Sequence, residues 1–315
     1  MPKETIFIAT RGSALALVQA NLVLSQCQTI FPDLSFELKI IKTTGDKLQT
    51  ASLAQEGTSL PKGLFTKELE VALLEKKADL AVHSLKDLPT ELPTGLKLGA
   101  VGKRADVRDV LIYRDENSVR GANPTPEMAG TVSPPGNKRG FGPNLRVEDL
   151  PGGAVVATSS TRRRAQLLTL NPHLKAPDIR GNVVTRMQKL AANPELDATV
   201  LALAGITRLR LKITPTGQLE GEGVPDGLLA AILDLNAMLP CVGQGAIGIE
   251  VRENDERIDE ICSRLNDFLT FQCVTAERAF LAGMGGGCQS PVAAYAEVVG
   301  DQISMRALSF ANGPV

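Results

Sequence analysis

What most limits how this chain can fold is a strand–turn–helix unit that begins at its N-terminus and recurs. "TIFIAT" (5–10) reads as a strand. "SALALVQANLVLSQCQTIF" (13–31) follows with helical apolar spacing behind Ser13, a residue type that caps helices. "SFELKIIKTT" predicts a second strand, and "LFTKELEVALLEKKA" a second helix with Leu64, Leu69, Leu73 and Leu74 on one face. "DLAVHSL" and "LKLGAV" predict a third and a fourth strand. After Val101, "DVRDVLIYR", "GGAVVATSS" and "DATVLALAG", with the helices that follow them, build a second alternating unit. "QGAIGIEV" is one more strand, "DERIDEICSRLNDF" and "FQCVTAERAFLAGM" are helices, and "PVAAYAEVVGDQISMRALSF" patterns as an antiparallel hairpin. The order predicts two α/β domains followed by a small α+β domain. The 315 residues are enough for each to bury a core.

Two stretches break the alternation. Residues 117–147 are rich in Pro, Gly and Asn without periodicity and predict a long, mobile surface insertion. "ITPTGQLEGEGVPDG" (213–227) predicts a shorter excursion of the same kind.

Composition excludes several classes of function. The net charge of −1 supplies no basic field for nucleic acid. No apolar run approaches the roughly 20 residues that span a bilayer, and the N-terminus has neither an apolar signal region nor a transit-peptide pattern, so a cytoplasmic location is expected. Five cysteines without a CxxC pair argue against a disulfide framework, and two histidines without a Cys/His cluster argue against a metal site. Cys27, Cys262 and Cys273 lie in apolar-periodic helices and are expected in the core, as is His83 within its strand.

The sharpest chemical signal is where arginine sits. Arg162, Arg163 and Arg164 occupy the first turn of the helix in "TSSTRRRAQLLTL", where the helix dipole opposes cations. Such an end receives anions, so cations stacked there suit a bound anion. Arg11 with Ser13, Arg180, Arg186 and Arg208 also stand at strand-to-helix turns. Ligands of open α/β sheets bind at the carboxyl ends of strands, so these arginines are predicted to converge on one cleft between two domains. The alternative is that each is a solvated surface residue. Guanidinium groups suit carboxylates and phosphates alike, but neither GxxxxGK[ST] nor GxGxxG is present, which leaves a polycarboxylate as the simpler ligand.

Two further features complete the chemistry. Lys86 and Asp87 directly follow a strand in "AVHSLKDLPT". A carboxylate among cations there can stabilise a cationic intermediate or relay protons, or Asp87 can simply pair with Lys86 in a turn. "GMGGGCQSP" (283–291) places Cys288 in a glycine-rich loop with no disulfide partner beside it.

These motifs together resemble the porphobilinogen deaminase (hydroxymethylbilane synthase) family of tetrapyrrole synthesis. The matching stretches are "IATRGSALALVQA", "KGLFTKELE", "AVHSLKDLPT", "TSSTRRRAQL", "RGNVVTR", "LALAGITRL", "VGQGAIGIE", "TAERAFL" and "GGGCQSP", in the family's order from residue 6 to about 300. The resemblance implies head-to-tail condensation of four porphobilinogen molecules with release of ammonia, then hydrolysis to hydroxymethylbilane. It implies a dipyrromethane cofactor held through a thioether to Cys288. Asp87 is then the catalytic carboxylate, stabilising the pyrrole-nitrogen cation of the azafulvene intermediate. Cofactor and substrate carboxylates would meet Arg11, Ser13, Lys86, Thr158, Ser160, Arg162, Arg163, Arg180, Arg186 and Arg208, with Phe65 an active-site aromatic. No metal is implied, and the expected state is a monomer.

The implied fold is two periplasmic-binding-protein-like α/β domains with an interdomain cleft plus a small α+β domain. The expected boundaries are 1–103 with 243–264, 104–242, and 265–315. The chain departs from the family at Val184, where glycine is usual, in the 117–147 insertion, and beyond "MRALSF", where members continue, so the third domain is expected to be short. Two other readings stand beside this one. A non-catalytic two-lobed binding protein for a polycarboxylate anion leaves Asp87 and Cys288 unexplained. A thiol hydrolase using Cys288 needs a base that only His83 or His173 could supply.

Overall fold

The computed structural model describes residues 5–45, 65–120, 139–286 and 290–310, which divide into two compact units: 1–106 with 241–308, and 107–240 with the last residues.

In the first unit β1 (Thr5–Arg11) pairs in parallel with β2 (Ser35–Ile41) and β3 (Leu80–Ser84). β11 (Ile247–Arg252) runs antiparallel between β3 and β4 (Leu96–Val101), giving the order β2-β1-β3-β11-β4. The middle of β1, Ile6–Ala9, is apolar on both sides because both its faces are covered. Ile6 and Ile8 join a core with Val23 and Cys27 of α1 (Ala14–Ile30) and Ile258 and Ile261 of α7 (Glu256–Leu265). Phe7 and Ala9 pack on the other face with Leu69 and Leu73 of α2 (Lys67–Leu74). Ser13 caps α1 as expected, its hydroxyl accepting from the Ala16 amide. Leu74 does not share the buried face predicted for it: it is 46% exposed, whereas Leu69 and Leu73 are fully buried, and Leu64 lies outside the described residues. The second strand ends at Ile41, short of the expected Thr44.

The same unit carries α8 (Phe268–Gly283) and the hairpin of β12 (Val292–Val299) and β13 (Gln302–Ser309), joined by a two-residue turn that only antiparallel strands allow. Glu277 of α8, fully buried, accepts from both terminal nitrogens of Arg104 at 2.6 and 3.0 Å and from the amides of Gly243 and Ala296. This one carboxylate ties α8 and β12 to the turn before β11.

In the second unit β5 (Asp109–Arg114) is antiparallel to β10 (Leu228–Ile232) and β7 (Ala198–Ala202), with β6 (Val156–Ala157) parallel to β7 at the edge. Every residue of β5 is buried: Val110 and Ile112 face one core, Leu111 and Tyr113 the other. The helices are α3 (Glu116–Arg120), α4 (Thr161–Leu170), α5 (Val183–Ala192) and α6 (Leu203–Arg208). β6 is much shorter than "GGAVVATSS" suggests. The segment 213–227 is less irregular than expected, because β8 (Lys212–Ile213) pairs with β9 (Leu219–Glu220). The insertion is narrower than composition indicates. Residues 116–120 are helical, Phe141 meets Tyr113 edge-on with ring centroids 6.2 Å apart, and Val147 is in the core; 121–138 lie outside the described residues.

Candidate active site

The predicted site residues fall into two sets, each at the carboxyl edge of its own sheet. In the first unit the register Ala9↔Ala81 brings the ends of the parallel strands β1 and β3 side by side. Arg11 and Ser13 therefore leave the sheet next to the 3₁₀ turn Leu85–Asp87. That turn is fixed from beneath: the Leu85 amide donates to the Ala246 carbonyl at 3.0 Å, and Leu85 itself is 1% exposed. A Cβ on Gly248 would lie 2.9 Å from Leu85 Cδ1, so the strand opposite must be bare for Leu85 to seat. With Leu85 buried, Lys86 is half-buried and Asp87 is exposed. Ser84, just before the turn, exchanges two 3.0 Å hydrogen bonds with Gln19 of α1, which is 2% exposed.

Phe65 lies with this set. The Arg11 guanidinium carbon sits 4.2 Å from its ring centroid, within cation–π range. The ring also presses on Gly45, where a Cβ would come within 2.1 Å of it.

The second set surrounds the ends of β6 and β7. Thr158 is fully buried, with its amide bonded to the Pro177 carbonyl. Ser160 caps α4, accepting from the Arg163 amide, and Asn182 caps α5, accepting from the Thr185 amide at 2.9 Å. The Ser159 hydroxyl clamps the Ile179 backbone through two hydrogen bonds, which holds the 179–182 turn beside the start of α4. Gly181 adopts φ +121° in that turn, and a Cβ there would strike Thr185 at 2.7 Å. Arg180 is exposed and borders a groove of about 1090 Å³ whose wall also carries Lys175 and Lys189. Arg186 donates Nε to the Gly181 carbonyl at 2.9 Å. Arg208, at the end of α6, is half-buried, and desolvation lowers its pKa. Val184 is accommodated by packing against the second-unit core, with Gly223 opposite it.

Arg162 and Arg163 depart from the expectation that they reach out to ligand carboxylates. They are 3% and 5% exposed, and their guanidinium groups turn inward to share Asp109, each at 2.8 Å. Their remaining terminal nitrogens donate to the carbonyls of Leu239 at 2.6 Å and Val200 at 2.8 Å. Arg164 pairs with Asp178. Cations at this helix start are thus neutralised largely by protein acids and carbonyls. Asp109 was legible only as an acid opening an otherwise apolar strand, a position where acids are rare unless paired. Burial alone would raise its pKa, yet Arg162 and Arg163 hold it well below the carboxylate range.

A depressed folded pKa means that the unfolded chain binds the extra proton. The stabilisation is therefore complete above about pH 4 and is lost as pH falls toward the folded value. Asp109→Asn is expected to cost about 3–5 kcal/mol at pH 7 by leaving two buried guanidinium groups without their anion. Its stability should also fall less on acidification than that of the wild type. Urea unfolding at pH 7 and pH 3.5 checks both, and equal midpoints for variant and wild type at pH 7 would contradict the role of Asp109.

His83 is a core histidine, as expected: it is 5% exposed and bonded to Glu250 at 2.9 Å. Cys27, Cys262 and Cys273 are buried in helices. Cys288 lies outside the described residues, between the end of α8 and β12. No group of three potential metal ligands occurs among the described residues, and no described helix is long and apolar enough to cross a membrane.

The family model described as porphobilinogen deaminase, dipyromethane cofactor binding domain, matches residues 6–260, and that for the porphobilinogen deaminase C-terminal domain matches 271–312. The chain belongs to the porphobilinogen deaminase family. Porphobilinogen deaminase of Syntrophomonas wolfei subsp. wolfei is 40% identical over 301 residues, covering 96% of this chain and 83% of the relative. That of Thermus thermophilus is 40% identical over 298 residues, covering 95% and 82%. Among solved structures, the chain is similar to the BenM effector binding domain with its effector benzoate at 16% identity and a TM-score of 0.41, covering 89% of this chain and 93% of that one. Membership makes the chain a transferase of tetrapyrrole synthesis that uses a dipyrromethane cofactor and porphobilinogen. Side chains of the second unit fit such a cofactor: the capped starts of α4 and α5, with the guanidinium groups of Arg180, Arg186 and Arg208, are the chemistry that receives carboxylates.

Proposed function

We propose that this chain performs the family's condensation as a monomer in the cytoplasm, with Asp87 as catalytic carboxylate and Cys288 as the cofactor's attachment point. The observation that carries this reading is the Leu85–Asp87 turn, which buries Leu85 and thereby presents Lys86 and Asp87 beside Arg11 at the edge of the first sheet. A carboxylate so presented stabilises positive charge on the pyrrole nitrogen as ammonia leaves porphobilinogen, and returns or takes the proton that each new bond displaces. Arg11 and Lys86 orient the acetate and propionate of the incoming substrate, and Phe65 holds the Arg11 guanidinium in place.

Arg180, Arg186, Arg208, Ser13, Thr158 and Ser160 hold the carboxylates of the cofactor and growing chain. Arg162 and Arg163 support this second edge from within, through Asp109. The cofactor, when bound, supplies the pyrrole carbon to which the first substrate is joined.

The expected result is consumption of porphobilinogen with one ammonia released per molecule. Purified protein carrying the cofactor that neither consumes porphobilinogen nor releases ammonia would refute the reading.

A further inference from the structure

The first unit buries a polar cluster that the reaction described above does not use. β3 and β11 are antiparallel with Gly248 opposite His83 and Glu250 opposite Ala81, so His83 and Glu250 share a face as diagonal neighbours. Leu85 continues along that face, with its side chain over Gly248. α2 covers the same face, its Leu69 and Leu73 packing with Ala81. His83 is 5% exposed and Glu250 0%, and Nε2 lies 2.9 Å from Glu250 Oε2. An ionised carboxylate only accepts, so with Glu250 ionised the contact is a hydrogen bond donated by His83 Nε2. Glu250 Oε1 is buried with no hydrogen-bond partner among the described residues. Thr66 and Glu70, at the start of α2, are 1% and 8% exposed. Burial pushes the Glu70 carboxyl above its usual range; Thr66 opposes the shift and the negative charge of Glu250 adds to it.

Such a cluster is a poor way to gain stability. A buried carboxylate with one oxygen unsatisfied costs more than an apolar side chain of the same volume. Its location indicates another use. α2 begins two residues after Phe65, which faces Arg11, and β3 ends three residues before Asp87. The cluster therefore underlies two of the segments that deliver side chains to the edge of this sheet.

We propose that Glu250 is a positioning residue for this site: by accepting the hydrogen bond of His83 it fixes the end of β3, from which Lys86 and Asp87 project. The inference rests on the assignment of Asp87 as the catalytic carboxylate. Glu250 touches no substrate and acts only through His83. Gln19 grips Ser84 from the α1 side, so the last two residues of β3 are held by one buried polar partner each.

The test compares Glu250→Leu, which removes the acceptor, with Glu250→Gln, which keeps an acceptor oxygen in the same volume. Rates are taken per folded, cofactor-loaded molecule, so that loss of stability alone moves nothing. Glu250→Leu is expected to lower kcat roughly ten- to a hundredfold with KM within about twofold, because a small misplacement of the reacting groups is enough. Glu250→Gln should restore most of the loss. Unchanged kcat in Glu250→Leu, or an equal loss in Glu250→Gln, would overturn the proposal. Should Glu250→Leu not fold, His83→Gln against His83→Leu reads the same contrast, and equal rates in that pair overturn it as well. Asp87→Ala run alongside separates the two readings. An inactive Asp87→Ala with an unaffected Glu250→Leu refutes the positioning role alone, whereas a fully active Asp87→Ala refutes the assignment on which it rests.

Discussion

Asp87→Ala leaves the cofactor attached and lowers turnover of porphobilinogen by roughly 10²–10⁴-fold, the usual contribution of a positioned proton-transfer or charge-stabilising carboxylate. Two observations separate this expectation from a general loss of structure. Asp87 is exposed, and exposed substitutions normally change stability by no more than about 0.5 kcal/mol. The turn that carries it is held by its neighbours, through the buried Leu85, the Ser84–Gln19 pair and the Leu85–Ala246 hydrogen bond, none of which involves the Asp87 side chain. The variant should therefore purify with the same unfolding midpoint and the same cofactor mass as the wild type. Single-turnover consumption of porphobilinogen is the measurement, and undiminished consumption by loaded protein would remove Asp87 from the mechanism. Asp87→Glu tests the geometry further. It keeps the carboxylate but moves it by about one methylene, so an intermediate rate is expected from a group whose position matters.

How much of this was legible in the sequence follows from which signals are local. The strand at β1 and the cap at Ser13 depend only on neighbours in the chain, and both stand where expected. So does Asp87 at the end of a strand, because a strand followed by a proline-bounded turn leaves few alternatives. Partners distant in sequence were not readable. Arg162 and Arg163 look outward-facing in "TSSTRRRAQL" because Asp109 is more than fifty residues earlier, inside a stretch whose apolar character dominates its pattern. Glu277 likewise reads as one polar residue of an amphipathic helix, and only the fold brings Arg104 and two backbone amides to it. Leu74 misleads in a different way: α2 stops there, so its side chain falls past the face that Leu69 and Leu73 bury. The insertion misleads through composition, since Pro and Gly hide the anchoring role of Phe141 and Val147 at its C-terminal end.

Cys288→Ser is expected to yield protein of unmodified mass, colourless with an aldehyde reagent for pyrroles and without turnover. The other thiols explain why one substitution should suffice. Nucleophilic attachment needs a thiolate and access. Cys27 and Cys262 are fully buried, and burial pushes both thiols up to about 12. Cys273 is buried in α8, and burial, with the charge of Glu277 adding to it, raises its pKa as well. Cys241 is half-buried and donates to Gln244 Oε1 at 3.4 Å, two residues from the Gly243 amide that Glu277 binds. Cys288 alone follows a run of glycines, in a segment whose two flanks Glu277 secures through α8 and β12. Loss of Glu277 would be expected to free those flanks, but loss of the Cys288 sulfur removes the bond itself. Cys241→Ser is the matched control and should retain both mass adduct and colour. An adduct that persists in Cys288→Ser and disappears in Cys241→Ser would move the attachment point to the turn before β11 and with it the reading of the glycine-rich loop.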